Sequence, residues 1–154
     1  VIFPALNICK LLTNSHPTRL LMRLFPGKRP NNLGVKNGQL KKCSSKPNCV
    51  SSQEDVSDSQ HYVEPIRYQG EAGPALAHLR EIIESLPRTT IVDQRDDYMH
   101  IEFETALVGF VDDLEVYLPP EGGLIHIRSA SRLGYSDLGV NRKRVEMLRA
   151  KFQQ

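Results

Sequence analysis

The chain has 154 residues, 40% of them hydrophobic and 25% charged, with a net charge of +2, the composition of an ordinary globular domain. Its length suffices for a core that needs no staples and excludes a large multidomain enzyme. No apolar run approaches the ~18 residues of a spanning helix. The net charge conceals a segregation. Residues 1–53 carry nine basic residues and no acid, residues 54–127 carry 16 acids against four arginines, and residues 128–154 carry seven basic residues against two acids. An acidic middle between basic ends reads as a basic arm plus a basic C-terminal patch. The arm folds onto the acidic body or meets an anionic membrane or acidic partner.

The first residue is Val1 rather than Met, so a natural start upstream is expected. Pro4, Asn7 and Lys10 interrupt the opening apolar run, and no small-residue cleavage site follows, which argues against a secretory signal. The scattered basic residues and absent acids fit the composition of an organelle transit segment. After Pro17, Leu20, Leu21, Leu24 and Phe25 fall at helical spacing with Arg19 and Arg23 between them. That pattern suits a short interfacial helix or one packed on the domain, and Arg19, Leu20, Arg23, Leu24 and Phe25 are the candidate docking residues. The stretch Phe25-Pro26-Gly27-Lys28-Arg29-Pro30 breaks any helix and starts a linker over about residues 26–34. The expected organisation is an arm and linker over residues 1–33 and a single domain over residues 34–154.

Cys43 and Cys49 bracket five residues containing a Pro-Asn turn. The gap suits a small disulfide loop and matches no common zinc spacing, and Cys9 lies too far away to complete a metal site. In an oxidising compartment the pair is expected to be bonded; in a cytosol both would be free thiols.

From residue 61 the elements follow clearly. Residues 61–68 predict a strand. Gly73-Pro74 opens a helix in which Leu76, Leu79, Ile83 and Leu86 recur at three- and four-residue steps until Pro87. Residues 89–93 are β-branched and strand-like. Residues 98–105 alternate, with Met99, Ile101 and Phe103 on one face and His100, Glu102 and Glu104 on the other. Residues 110–118 form the next strand, the turn 119–123 reverses the chain, and residues 124–129 return. Val145, Leu148 and Phe152 mark a final helix. The order implies an α+β fold, an antiparallel sheet of about five strands with two main helices on one face.

Chemistry-bearing residues concentrate after the last strand. Arg128, Ser129, Ser131 and Arg132 leave the sheet, Ser136 or Asp137 is placed to cap the helix, and Asn141, Arg142, Lys143 and Arg144 crowd its first turn. Cations there oppose the helix dipole and call for a neutraliser. The neutraliser is either an external anion, making Arg128, Ser129, Ser131, Arg132, Ser136, Asn141 and Arg142 an anion site, or the protein's own Asp112, Asp113 and Asp137. Neighbours in a strand point to opposite faces, so Asp112 and Asp113 do not share a metal's ligand sphere. No phosphate loop, nucleophile elbow or two-histidine metal motif is present, and neither a metal nor a cofactor is expected. The acidic middle and absent Trp argue against nucleic acid.

Several of these stretches carry a resemblance: Leu33-Gly34-Val35 with Gly38 and Leu40, Cys43, Pro47-Asn48-Cys49-Val50-Ser51-Ser52, Phe110-Val111-Asp112-Asp113, and Arg128-Ser129-Ala130-Ser131-Arg132 followed by Gly134 and residues 136–142. Over about residues 25–153 the chain resembles the domain of unknown function 1499 family, found in bacteria, cyanobacteria and plastids, often behind an N-terminal signal or anchor. It departs at Lys42 and Ser44, where relatives often have prolines that stiffen the cysteine loop. The resemblance implies no established activity. It implies a thylakoid setting, lumenal or membrane-associated, or else a bacterial periplasm. The expectation is a non-catalytic accessory protein, bound to a protein partner in a membrane-associated complex, with a photosynthetic membrane complex as the natural candidate. A membrane surface is the further partner open to the arm. The alternative is a small-anion or ligand-binding domain built on the arginine block.

Overall fold

The computed structural model describes residues 25–106 and 109–154. Eight elements follow in order: β1 (Cys49–Ser51), β2 (Ile66–Arg67), α1 (Ala72–Glu84), β3 (Thr89–Gln94), β4 (Tyr98–Glu104), β5 (Val111–Tyr117), β6 (Leu124–Ser131) and α2 (Val140–Phe152). The strands form one antiparallel sheet in the order β1-β6-β5-β4-β3, with β2 also paired to β6. The fold is therefore α+β, with six strands. β2 and β1 share one edge of β6: Ile66 faces Ile125 near its start, and Cys49 faces Ala130 near its end.

The strand expected over residues 61–68 is much shorter. Only Ile66 and Arg67 join the ladder, with an isolated parallel bridge from Tyr62 to Ser51. Pro65 explains the break, because it has no N–H to donate to a neighbouring strand. The last strand instead runs two residues further than expected, because it pairs with β1 and, just before β1, the carbonyl of Asn48 accepts Ser131 N–H at 2.9 Å.

Period-two alternation places Met99, Ile101, Phe103, Leu114, Val116, Ile125 and Ile127 on one face of the sheet. Leu76, Leu79 and Ile83 of α1 and Val145 and Leu148 of α2 pack against it in a single core. Both helices thus cover one face. Pro74 sits in the first turn of α1, where a missing N–H leaves nothing unsatisfied.

The other face carries the polar residues of the alternation, and it too is shielded from water. Tyr98, His100, Glu102, Asp113, Glu115 and Arg128 are all buried. Residues 29–40 run across them: Arg29 bonds Glu102, the Gly34 N–H bonds Glu115, and Leu40 packs with Tyr98 and Tyr117. Two residues of the predicted linker, Arg29 and Gly34, therefore contact the sheet directly. Burying this many ionisable groups is sustainable only when each finds a partner.

Candidate functional site

The charged face of the sheet is organised around two carboxylates that stand opposite each other in the β4–β5 register, Glu102 and Asp113. Like charges so placed repel. Arg132, just beyond β6, resolves the conflict. Its Nε donates to Asp113 Oδ2 at 2.8 Å and its Nη2 to Asp113 Oδ1 at 2.7 Å and Glu102 Oε1 at 2.5 Å. Arg29 adds a bond to Glu102 at 2.7 Å, and His100 Nε2 lies 2.7 Å from Asp113 Oδ1. Burial works against ionisation of Glu102, but the bonds and charges of Arg29 and Arg132 outweigh it and hold the carboxyl at about 2. Burial likewise opposes ionisation of Asp113, and Arg132 and His100 overcome it to hold that group below its usual range. Its bond to Asp113 pushes Arg132 further toward the charged form.

One register step away, Glu115 accepts from Gly34 N–H at 2.7 Å, Tyr98 Oη at 2.9 Å and Arg128 Nη1 at 3.1 Å. Arg128 Nε is buried with no partner among the described residues. Burial, followed by the neighbouring Glu115 charge, pushes the Tyr98 phenol upward and keeps it a donor.

On the helix-covered face, a second network centres on Asn141, which is completely buried at the start of α2. Its Oδ1 accepts from Ser129 Oγ at 2.5 Å and Arg144 Nη1 at 2.7 Å. Its Nδ2 faces Asp137 Oδ2, Ser131 Oγ and the carbonyl of Asn48 at 2.7, 2.9 and 3.3 Å. Arg144 continues to Asp112 Oδ2 at 2.6 Å and lies 4.6 Å over the Phe103 ring. Asp137 Oδ2 also accepts the Asn141 backbone N–H at 2.8 Å, while Oδ1 takes Gly139 N–H at 3.0 Å. The residue that caps the helix by position is Gly139, with φ +78°, and it makes no side-chain cap. Asp137 satisfies the helix N–H groups from two residues upstream, and Ser136 Oγ bonds only Leu138 N–H at 3.2 Å.

The arginine block thus divides among three places. Arg128 and Arg132 join the charged face with Asp113. Ser129, Ser131 and Asn141 join the Asn141 network with Asp112 and Asp137. Arg142 reaches the other way, donating to the carbonyls of Ser59, Gln60 and Tyr62 at 3.0, 3.2 and 2.8 Å. Two of the three cations in the first turn of α2 are engaged within the chain, Arg144 by Asp112 and Arg142 by backbone oxygens. Asp112 and Asp113, adjacent in β5, serve opposite faces, and no group of acids, histidines or cysteines able to hold a metal occurs among the described residues.

Sequence reasoning missed Arg29, Asn48, Glu102, Glu115 and Arg144 as members of these networks. Asn48 had a visible signal: it lies inside the disulfide loop. Cys43 and Cys49 are bonded, and the loop holds Asn48 so that its carbonyl meets Ser131 and Asn141 and its amide donates to the Gly134 carbonyl at 3.0 Å. The two longest motifs of the sequence, around Asn48 and around Asn141, meet here.

Beside α2 lies a groove of about 530 Å³, lined by Thr105, Phe110, Leu133, Leu138 and Val140 above the Asp112 and Asp137 carboxylates. Leu133, Leu138 and Val140 are exposed, as are Tyr135 between them in sequence and Phe110 and Phe25 beside them. The Phe25 and Phe110 rings are 6.2 Å apart. The other proposed docking residues, Arg19, Leu20, Arg23 and Leu24, lie outside the described residues, as does the short helix expected after Pro17.

An antiparallel sheet with helices on one face, charged pairs sealed on the other and two distant motifs tied at Asn141 defines a small α+β domain built on internal polar networks. The chain belongs to the family of proteins of unknown function DUF1499, which it matches over residues 39–152. No curated protein matches it.

Proposed function

We propose that the chain is a non-catalytic accessory protein that docks on a membrane-associated assembly, through the end of the domain at which the basic N-terminal segment joins. One observation carries the reading. Among the described residues, six of the seven exposed large apolar side chains, Phe25, Phe110, Leu133, Tyr135, Leu138 and Val140, gather at that end; the seventh is Val56. A contiguous exposed apolar patch on a small domain marks an interaction surface. The residues with chemical potential are engaged with one another: Arg132 with Glu102 and Asp113 and Arg128 with Glu115 on one face, and Arg144 with Asp112 on the other.

The alternative, an anion site on the arginine block, draws less support, because these guanidiniums already hold internal carboxylates or carbonyls. The proposed setting is an oxidising compartment, the thylakoid lumen with a photosynthetic membrane complex as host, or a bacterial periplasm. The Cys43–Cys49 bond supports an oxidising side.

Fractionation of native membranes tests the reading. The full-length chain is expected in the membrane fraction, and a form lacking residues 1–24 is expected to be released while its melting temperature is unchanged. Unchanged sedimentation of the truncated form would sink the proposal.

A further inference from the structure

The docking reading leaves the chemistry of the partner open, and resting on that reading we infer that the apolar end of the domain inserts into the headgroup region of an anionic lipid bilayer, with the loop of residues 133–140 as its leading edge. Three observations point to lipid.

The first is the shape of the patch. Leu138, which lines the groove, is 87% exposed, and Tyr135, three residues before it, is 70% exposed, so both present side-chain surface outward. Protruding apolar side chains suit a soft interface that flows around them, and tyrosine is a residue of the membrane–water boundary.

The second is the backbone. Leu138 has φ +54°, a conformation that costs a branched L residue energy and that Gly or Asn adopts easily. A leucine that is 87% exposed in such a conformation is unfavourable in water on both counts. Contact with an apolar medium offsets the exposure.

The third is charge and continuity. The chain leads into the patch at Phe25, and the residues before it include Leu20, Leu21 and Leu24 interleaved with Arg19 and Arg23. No acid occurs anywhere in residues 1–53, and Lys143 lies beside Val140 in the neighbouring groove. The patch's own acids are engaged: Asp112 with Arg144, Asp137 with two backbone N–H groups. Apolar side chains flanked by cations are the composition of a surface that binds anionic membranes by burial plus attraction.

The test is sedimentation of the purified full-length protein with protein-free vesicles, either pure phosphatidylcholine or equimolar phosphatidylcholine and phosphatidylglycerol. Binding is expected mainly to the anionic vesicles, weakening as salt is raised. The double variant Leu138→Asp and Tyr135→Ser is expected to lower partitioning about tenfold. Both sites are exposed, and Asp accepts the backbone conformation of residue 138, so an unchanged melting curve is the control for folding. Wild-type binding that the double variant leaves intact would overturn the inference, as would absence of wild-type binding. If the wild type ignores vesicles but fractionates with native membranes, the partner is a protein, and only the lipid inference falls. If it fractionates with neither, the docking reading falls too.

Discussion

Glu102 and Asp113 face each other across the β4–β5 ladder, both almost completely buried, and Arg132 bonds the two of them at once. Replacing Arg132 with Met leaves two opposed carboxylates without the cation that joins them. The expected loss of stability is about 3–5 kcal/mol, the usual result of removing one partner from a buried pair. Chemical denaturation measures it, and a loss under about 1 kcal/mol would show that Arg29 and His100 hold the acids unaided.

The same cluster sets an acid limit. Glu102 is held at about 2 against an ordinary 4.5, and Asp113 is also lowered. A depressed folded value contributes stability that is complete above the unfolded value and disappears as pH falls through the folded one. The contribution of this cluster is therefore expected to be level above about pH 5 and to fall between about pH 4.5 and pH 2, by about 3 kcal/mol from Glu102. Glu102→Gln should flatten that part of the profile in denaturation curves taken across the range.

Asn141 ties α2 to the sheet through Ser129, Ser131, Arg144 and the Asn48 carbonyl. Asn141→Leu keeps the approximate volume but strips the partners from several buried groups, at an expected cost of about 3 kcal/mol. Hydrogen exchange should locate the loosening in the first turn of α2 and at β1. Uniform loss of protection across β3 and β4 would contradict a local role.

Leu138 offers a gain. Substitution by Asn or Gly removes a largely exposed side chain and relieves its positive φ. Thermal unfolding should show unchanged or higher stability, by up to about 1 kcal/mol. A lower melting temperature would reveal packing that its exposure does not suggest.

The Cys43–Cys49 bond closes a short loop, for which chain-entropy reasoning gives about 2 kcal/mol. Reduction should lower the melting temperature accordingly and loosen Asn48 at the end of β6. Peptide mapping of native protein without reductant should recover residues 43 and 49 linked. Two free thiols there would place the protein in a reducing compartment.

Much of this was legible in the residues alone. Period-two runs over residues 98–105 and 110–118, with a short turn after them, identify an antiparallel sheet, because strand geometry forces side chains to alternate. Three- and four-residue spacing of Leu76, Leu79 and Ile83 does the same for α1, and a five-residue gap makes Cys43 and Cys49 candidates for a bond that depends on the compartment. The strand before α1 was overextended because alternation takes no account of the N–H that Pro65 lacks.

Tertiary structure alone decided what covers the second face of the sheet. Alternation says that His100, Glu102 and Glu104 share a face, and an unpaired acid is so costly to bury that water is the default expectation. The guanidiniums that make burial possible lie far off in sequence: Arg29 is 73 positions from Glu102, and Arg132 is 30. The arginine block was split for the same reason. Neighbouring residues of a strand point apart, so Arg128 and Ser129, adjacent in the chain, ended in different networks once helices covered one face and residues 29–40 the other.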